Sequence, residues 1–183
     1  AYSLCPDAIF LPPRFQVYAG VSEKGMAILK SCGFDFEQVS IDEAFLDITP
    51  VGDFIAARNL AVRLKEEIKK TLGLTCSIGI APAKTVAKIA SDFHKPDGIT
   101  VVEPDAVIPF LAPLAVRKIP GIGKKTEAVL HDMGIMTIAD LGACDIQVLI
   151  ARFGQAGIAM HEIAAGIDSG DVAEREGVRS LSR

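Results

Sequence analysis

The sequence lacks the features of a membrane protein, a disulfide scaffold and a zinc site. None of its apolar runs approaches the ~20 residues that a membrane-spanning helix needs. It has no basic N-terminal region followed by an apolar stretch and a cleavage site, as a secretory signal has. Its four cysteines, Cys5, Cys32, Cys76 and Cys144, form no Cys-x-x-Cys pair. We therefore expect a cytoplasmic protein without membrane contact, whose cysteines are reduced and buried as small apolar side chains.

An excess of positive charge is also missing, which at first argues against a nucleic-acid partner. The formal net charge is −4 and the isoelectric point lies near 5.4. The charges are unevenly spread, however, because basic residues concentrate in 84–95 and 117–125 and acidic residues in 35–53 and 168–176. Since a local basic patch binds phosphate whatever the total charge, the two basic segments keep nucleic acid among the candidate partners.

Helical and strand patterns alternate over the first hundred residues, which predicts a sheet with helices packed on it. The clearest helix begins after the N-cap residue Asp53 and ends at Gly73. The run Leu74–Ile80 has few charges, so we expect a strand in the centre of a sheet. The other expected elements are a helix over 16–32, a hairpin over 37–49, a helix over 83–93 and a strand over 99–102.

The second half of the chain has a helical pattern with short breaks. We therefore predict an α+β domain over 1–102, an α/β-layer with a mixed sheet, followed by a small all-α domain over 103–167. The tail over 168–183 is rich in glycine, serine and charge without periodicity, which is typical of a linker.

Asp42 and Glu43 interrupt an alternating apolar pattern at the point where the two strands of the hairpin meet. Neighbouring strand residues point to opposite faces, so the two carboxylates converge only if the backbone bends there. Two interpretations of the pair remain open. Most exposed acidic pairs are simply charged tips that face water. The alternative is a platform for Mg²⁺, which binds one or two carboxylates together with waters and substrate phosphates.

Two glycines, Gly121 and Gly123, precede an amphipathic helix that starts with Lys124, Lys125 and Thr126. Glycines let a backbone approach a phosphate closely, and the N-terminus of the following helix directs N–H groups and partial positive charge toward it. Such contacts are made to the DNA backbone, so binding is expected to be independent of base sequence. The alternative is a plain turn between two helices. The flanking lysines favour DNA contact.

Five segments in order resemble the motifs of the Y-family (translesion) DNA polymerases, in particular the DNA polymerase IV or DinB branch. The first and most specific is the acidic motif Ser-Ile-Asp-Glu-Ala-Phe-Leu-Asp. The segments that carry the resemblance are Ser40–Asp47, Cys76–Ala81, Lys84–Asp92, Lys95–Ile99 and Ile119–Thr126. The resemblance thus covers most of the chain and includes the glycine and lysine motif as a helix-hairpin-helix.

The resemblance implies error-prone lesion bypass in DNA repair, by two-metal transfer of a nucleotide to a primer 3′-hydroxyl. It implies Mg²⁺, which Mn²⁺ can replace, with Asp42 bridging the two ions and Glu43 binding the ion that activates the hydroxyl. It places Lys95 on the triphosphate of the incoming nucleotide and Lys88 near the same region. Asp47 matches the motif too, but we expect it to hold the hairpin.

Members of this family begin with a strand that carries another metal-binding Asp, followed by a steric gate and a fingers domain. The motifs here start after that point, so the resemblance implies a partial palm and a thumb. Val178–Ser180 is similar to the start of the linker to a little-finger domain. Expected partners of the monomer are primer–template DNA, deoxynucleoside triphosphates and, through parts beyond this chain, a sliding clamp.

A different class of function also fits the residues, a non-catalytic DNA-binding module that uses only the helix-hairpin-helix. In that case the Asp42 and Glu43 pair has a structural role. On the polymerase hypothesis we expect the 183 residues alone not to extend a primer, because the metal site then lacks one carboxylate.

Overall fold

The structure, a computed structural model, describes residues 3–168 and 170–174. Its first half contains α1 (Phe15–Lys30), β1 (Asp35–Gln38), β2 (Ala44–Asp47), α2 (Phe54–Leu72), β3 (Ile78–Ile80), α3 (Lys84–Ser91) and β4 (Ile99–Val101). Its second half contains α4 (Val107–Leu111), α5 (Lys124–Asp132), α6 (Ile138–Ala143), α7 (Ile146–Phe153) and α8 (Gln155–Ala164). Short 3-10 turns lie at Thr49–Val51, Pro104–Ala106 and Val116–Lys118. The predicted α+β class with a helical second half is confirmed.

Helix α2 forms where its end signals predict it. The Asp53 side chain accepts a hydrogen bond of 2.7 Å from the Ala56 N–H, which satisfies one of the free donors at the helix start. At the other end Gly73 has a φ of 68°, a left-handed conformation, and its N–H donates to the Lys69 carbonyl. Local chemistry alone therefore fixes both ends of this helix.

The four strands form two separate pairs in the described part of the chain. β1 and β2 are antiparallel, with Gln38 opposite Ala44, and β3 and β4 are parallel, with Ile78 opposite Ile99. Helix α3 is the crossover that parallel pairing requires. The predicted strand over 74–80 is shorter than expected, since only Ile78–Ile80 is a strand, and among the described residues it pairs on one side and is not central. A run with few charges indicates that a strand can be buried on both faces, but not that a second neighbour is present.

The main hydrophobic core lies in the helical half and includes the apolar face of α3. Val86, Ile89 and Ala90 of that helix are at most 3% exposed and pack with residues after 104. Their partners include Val107, Leu111, Val116, Ile119, Leu130, Ile138, Leu141 and Leu149. A smaller cluster under the strands has three buried members, Ala57, Ala61 and Ile80. The position of α3 is thus fixed mainly by the helices that follow it.

A cleft of about 870 Å³ lies between the two strand pairs. Residues of β2 and β3 line it, whereas residues of β1 and β4 do not, so β2 and β3 face each other across it. Apolar residues of α1 and α2 line it as well, among them Met26, Leu29, Leu60, Leu64 and Ile68. The apolar face of α2 therefore borders this cleft, although Ala57, Ala61 and Leu64 on it are buried.

Two expectations from composition have different outcomes. All four cysteines are free, but Cys5 is exposed and the other three are only half-buried, so the expectation that they are buried is wrong. In the part of the chain that the structure describes, no helix is both long and apolar enough to cross a membrane. The domain boundary near 102–104 and the linker after 168 stay predictions. Val178–Ser180 lie outside the described residues.

Gly79 in β3 marks a close approach between a strand and a helix. A Cβ atom at this position would lie 1.9 Å from the Ala87 carbonyl oxygen and 2.5 Å from the Ser91 amide nitrogen. Both atoms belong to the backbone of α3, so a side chain cannot move aside to make room. Only glycine allows this contact, and the contact sets the distance between α3 and the sheet.

Substituting Gly79→Ala should therefore destabilise the fold by roughly 1–3 kcal/mol or more, because it forces α3 away from β3. The matched control is Gly20→Ala in α1, where a Cβ would meet no atom within 4 Å. There we expect a gain of about 0.5–1 kcal/mol, since alanine favours a helix over glycine. Urea unfolding followed by circular dichroism measures both. Effects of the same sign would contradict the packing of α3 described above.

Candidate active site and nucleic-acid interface

The acidic pair lies in the turn of the β1–β2 hairpin. The N–H groups of Val39 and Ser40 both donate to the Glu43 carbonyl, at 2.9 and 3.2 Å, and close a turn over 39–43. The bend that the sequence predicts at this point is confirmed. It places Asp42 and Glu43, both exposed, at the border of the cleft.

Two serines hold this turn and the carboxyl group of Asp42. The Ser40 hydroxyl donates to Asp42 Oδ1 at 2.6 Å, and the Asp42 N–H donates back to Ser40 Oγ at 3.3 Å. The Ser22 hydroxyl of α1 donates to the Ile41 carbonyl and ties the turn to that helix. The orientation of Asp42 is therefore set by local hydrogen bonds.

Glu43 has a partner on α3. Lys88 Nζ lies 2.5 Å from Glu43 Oε2, and the two side chains are 31% and 45% exposed. An ion pair with this exposure is worth roughly 0–1 kcal/mol, because water and salt screen it. A cation that binds Glu43 more strongly can thus displace Lys88 at little cost.

Lys95 lies near the same carboxylates. Its Nζ is 2.5 Å from Asp92 Oδ1, and this hydrogen bond is the main cause that raises the Lys95 pKa. The charges of Glu43 and Asp42 raise that pKa further, so Lys95 is within electrostatic range of the acidic pair. All four predicted residues, Asp42, Glu43, Lys88 and Lys95, line one cleft.

The donor set at the turn fits a hydrated divalent cation incompletely. Asp42 and Glu43 offer the hard carboxylate oxygens that such an ion prefers. Within residues 3–168 and 170–174, however, no group of three or more His, Cys, Asp or Glu side chains is arranged to hold a metal. Any further ligands must come from water, from substrate or from residues outside this set.

Asp47 has the structural role expected for it. Its Oδ1 accepts hydrogen bonds from the Thr49 N–H at 2.9 Å and from the Thr49 hydroxyl at 2.5 Å. The hydroxyl and N–H of Thr49 lower the pKa of this carboxyl, so it remains ionised and closes the turn after β2.

The hairpin before α5 has the form that phosphate binding requires. Ile119 and Ile122 are 1% and 6% exposed and anchor it in the helical core. Gly121 between them has a φ of 91°, in the left-handed region that favours glycine, and a Cβ there would meet no atom within 4 Å. The backbone is therefore accessible at this position.

Helix α5 starts with free donors and positive charge. Its N-cap residue is Gly123, which has no side chain to cap the helix, and a Cβ at Gly123 would also meet open space. The first two residues, Lys124 and Lys125, are exposed, and Thr126 is half-buried. The start of this helix thus combines backbone N–H groups with two exposed lysines, a combination that favours an anion.

A second recess, of about 260 Å³, connects this hairpin with α3. Its lining includes Lys88, Asp92, Arg117, Lys118 and Gly121. Since Lys88 also lines the main cleft, the two recesses meet at this residue.

The contacts at the start of α3 were missed by sequence reasoning. Lys84 Nζ lies 2.7 Å from Glu37 Oε2, and Asp168 accepts hydrogen bonds from Thr85. One signal was available, because Ala83 at the N-cap position of a predicted helix cannot cap it and indicates an acceptor from elsewhere.

Comparisons with known proteins agree with this geometry. Residues 1–92 match the model of the impB/mucB/samB family, and residues 104–135 match that of the IMS family HHH motif. DNA polymerase IV of Methanoculleus marisnigri is 52% identical over the whole chain and 51% of its own length. DinB from Sulfolobus solfataricus superposes with a TM-score of 0.86 at 34% identity, covering 93% of this chain and 51% of that one. An insertion ternary complex of Dbh DNA polymerase superposes with a TM-score of 0.85 at 33% sequence identity. The match covers 93% of this chain and 51% of that one.

The chain therefore belongs to the impB/mucB/samB family, the Y-family DNA polymerases. Within this family its similarity is to the DinB branch, which includes DNA polymerase IV. The chain spans about half the length of the curated relatives that it matches.

Replacing Lys88 should tighten the binding of a divalent cation at the hairpin turn. In the Lys88→Ala variant Glu43 loses its competing ammonium group, so we expect Mn²⁺ affinity to rise about two- to fivefold. Wild-type affinity should be weak with Mn²⁺ and weaker with Mg²⁺, which gives up its waters reluctantly. The measurement is a titration of free Mn²⁺ by electron paramagnetic resonance.

The control is Lys24→Ala, which removes an exposed charge from α1 and should leave the affinity unchanged. Glu43→Ala should abolish the site. Unchanged or weaker binding in Lys88→Ala would show that the Glu43 carboxylate does not bind the ion.

Proposed function

We propose that the whole protein is a translesion DNA polymerase that transfers nucleotides from deoxynucleoside triphosphates to a primer 3′-hydroxyl. The observation that carries the proposal is the meeting of Asp42, Glu43, Lys88 and Lys95 at one cleft, in a chain of this family. The similar Dbh structure, described as an insertion ternary complex of a DNA polymerase, supports DNA and nucleotide as partners. The cytoplasmic location, the monomeric state and a sliding-clamp partner stay predictions.

Members of the family use divalent metal ions, and we propose Mg²⁺, with Mn²⁺ as a substitute. Asp42 and Glu43 would hold the metal through their carboxylate oxygens. Divalent ions held there would supply the positive charge that activates an attacking hydroxyl and stabilises an in-line transition state. The Ser40 hydroxyl keeps one Asp42 oxygen in place, which reduces the reorganisation needed on binding.

The lysines of the site have a second part in this proposal. Lys88 pairs with Glu43 and Lys95 with Asp92. With a metal on Glu43, the Lys88 ammonium group would be free to bind a phosphate. Lys95, which lies within electrostatic range of both carboxylates, would bind the triphosphate in the same way. Both lysines would thus balance the substrate charge and orient it.

We further propose that an extended segment of the whole protein pairs in the cleft between β2 and β3. Because Val39 donates to the Glu43 carbonyl in the turn, Ala44 and Leu46 turn their backbone groups away from β1. In β3, Ile78 and Ile80 form hydrogen bonds on the side of β4. The backbone groups of Gly79, which lies between them, therefore point to the side of β3 away from β4. A strand between them would join both pairs into one sheet and place a further carboxylate near the acidic pair.

The helix-hairpin-helix would bind the backbone of duplex DNA without base specificity. Its accessible contacts are the backbone N–H groups of Gly121, Gly123, Lys124 and Lys125 and the two lysine side chains. A non-catalytic DNA-binding module would use the same surface and would keep the Glu43–Lys88 pair as a plain ion pair. Primer extension therefore distinguishes the two functions, and DNA binding does not.

DNA binding should be sequence-independent and strongly salt-dependent. Each neutralised phosphate adds about 0.9 to the magnitude of the slope of log K against log salt. The double variant Lys124→Ala/Lys125→Ala should reduce that slope by up to about two. The matched control is Lys69→Ala/Lys70→Ala, which removes two adjacent exposed lysines from the end of α2. Fluorescence anisotropy of labelled duplex at several salt concentrations measures the slope, and equal slopes in both variants would contradict the interface.

A polypeptide of these 183 residues should not extend a primer by itself. Two carboxylates cannot space and balance two metal ions, and misplacing a reacting group by even ~1 Å reduces a rate about a hundredfold. Adding the remaining upstream part of a full-length relative should restore slow extension, with Mg²⁺ and four deoxynucleotides, in a gel assay. Asp42→Ala or Glu43→Ala should abolish it. Extension by the 183 residues that survives Glu43→Ala would refute the catalytic role of the hairpin.

A further inference from the structure

Helix α3 has no cap of its own. Its N-cap residue is Ala83, which has no side-chain acceptor, and its first turn contains no acidic residue. The acceptor comes from Asp168, which follows α8 and lies 83 residues after Thr85. Asp168 Oδ2 accepts hydrogen bonds from the Thr85 N–H at 2.9 Å and the Thr85 hydroxyl at 2.7 Å. A residue beyond the helical half thus caps the helix that carries Lys88.

Asp168 is itself held in place as a carboxylate. Its other oxygen, Oδ1, accepts a hydrogen bond of 3.1 Å from the Gly170 N–H. Burial raises the pKa of Asp168, but the hydrogen bonds from Thr85 and Gly170 and the charge of Lys84 outweigh it and lower the pKa below its ordinary value. The cap is therefore negatively charged at neutral pH, and this charge stabilises the helix at its N-terminus, where the helix dipole is positive.

Lys84, the first residue of α3, connects the same segment to the catalytic hairpin. Its Nζ donates to the Asp171 carbonyl at 2.8 Å and to Glu37 Oε2 of β1 at 2.7 Å. The Glu37 and Lys84 side chains are only 5% and 21% exposed, and Nζ also lies 5.7 Å from the centre of the Phe45 ring on β2. A pair that is this buried is costly to break, unlike a surface pair.

A second contact repeats the connection one turn later. Lys88 is four residues after Lys84 and so lies on the same side of α3, where it reaches Glu43 in the turn of the hairpin. The start of α3 is fixed by Asp168, and α3 in turn contacts the hairpin at Glu37 and at Glu43. The contacts thus form one continuous path from the segment after α8 to the acidic pair.

We propose that Asp168 is a positioning residue, which fixes the start of α3 so that Lys84 and Lys88 reach the catalytic hairpin. The role differs from helix capping alone. A local cap would stabilise the first turn of α3 wherever the helix lies, whereas Asp168 also sets where the helix lies relative to Glu43. The position of α3 matters for catalysis only if Glu43 has the proposed metal-binding role. The effect of Asp168 on that position does not depend on the role of Glu43.

The test uses nuclear magnetic resonance of the full chain and four variants. Asp168→Ala removes the acceptor. The double variant Asp168→Ala/Ala83→Ser adds a local cap at a residue whose backbone, at φ −131° and ψ 144°, already has the extended conformation of an N-cap. Asp168→Asn keeps an acceptor oxygen of the same reach, and Asp105→Ala removes an exposed acidic residue elsewhere in the helical half as a control.

Two signals are measured. Amide hydrogen exchange of the first turn of α3 reports on capping, and the ¹³Cδ shift of Glu43 with the ¹⁵Nζ shift of Lys88 reports on position. Asp168→Ala should speed that exchange about fivefold, the effect of one lost cap, and displace both side-chain shifts. The double variant should restore the exchange rate but leave the side-chain shifts displaced. Asp168→Asn and Asp105→Ala should resemble the wild type.

Two results would overturn the proposal. If the local serine cap restores the Glu43 and Lys88 shifts as well, Asp168 is only a cap. If Asp168→Ala leaves the side-chain shifts unchanged, the path from the segment after α8 to the acidic pair does not exist. Should Asp168→Ala fail to fold, Thr85→Val takes its place, because it removes the hydroxyl that donates to Asp168. Thr85→Val should then displace the Glu43 and Lys88 shifts and Asp168→Asn should not, and unchanged shifts in Thr85→Val would overturn the proposal. Neither measurement involves primer extension, so failure of this proposal is distinct from failure of the polymerase assignment.

Discussion

At Gly79 the backbones of β3 and α3 approach so closely that no side chain fits between them. This contact sets the distance between α3 and the strands. The opposite face of α3 is buried in the core of the helical half through Val86, Ile89 and Ala90. With both faces fixed, only its basic edge remains to meet the hairpin. The acidic pair, the lysines beside it and the glycine hairpin all take their relative positions from this one short helix.

Two of the three carboxylates at the candidate site are paired with ammonium groups before any ligand binds. Glu43 faces Lys88, Lys95 faces Asp92, and Asp42 is held by a serine hydroxyl. Each of these contacts is at least partly exposed and so individually weak. On the proposed function, metal ions and a triphosphate would bring opposite charges to the site together and could exchange partners with the existing pairs. The side chains of the site are thus already in position, and their ion pairs are weak enough for a ligand to break.

The parts of the fold that depend on neighbouring residues could be predicted from the sequence. The Asp53 cap, the Gly73 end and the bend at Asp42 each follow from chemistry within a few residues. Strand pairing could not be predicted, because the run at Ile78–Ile80 does not specify its neighbours. The Glu43–Lys88 pair and the Asp168 cap join residues 45 and 83 positions apart, and no local pattern encodes such a distance.

The cleft has a consequence for how this polypeptide behaves in isolation. Among the residues that the structure describes, β2 and β3 each have an edge without a strand partner there, bordered by apolar side chains of α1 and α2. Edges of this kind are templates for pairing with any extended chain, including another copy of the same molecule. At high concentration the isolated 183 residues are therefore prone to edge-to-edge aggregation. In a longer chain, a segment that occupied the cleft would protect the protein from aggregation as well as complete its sheet.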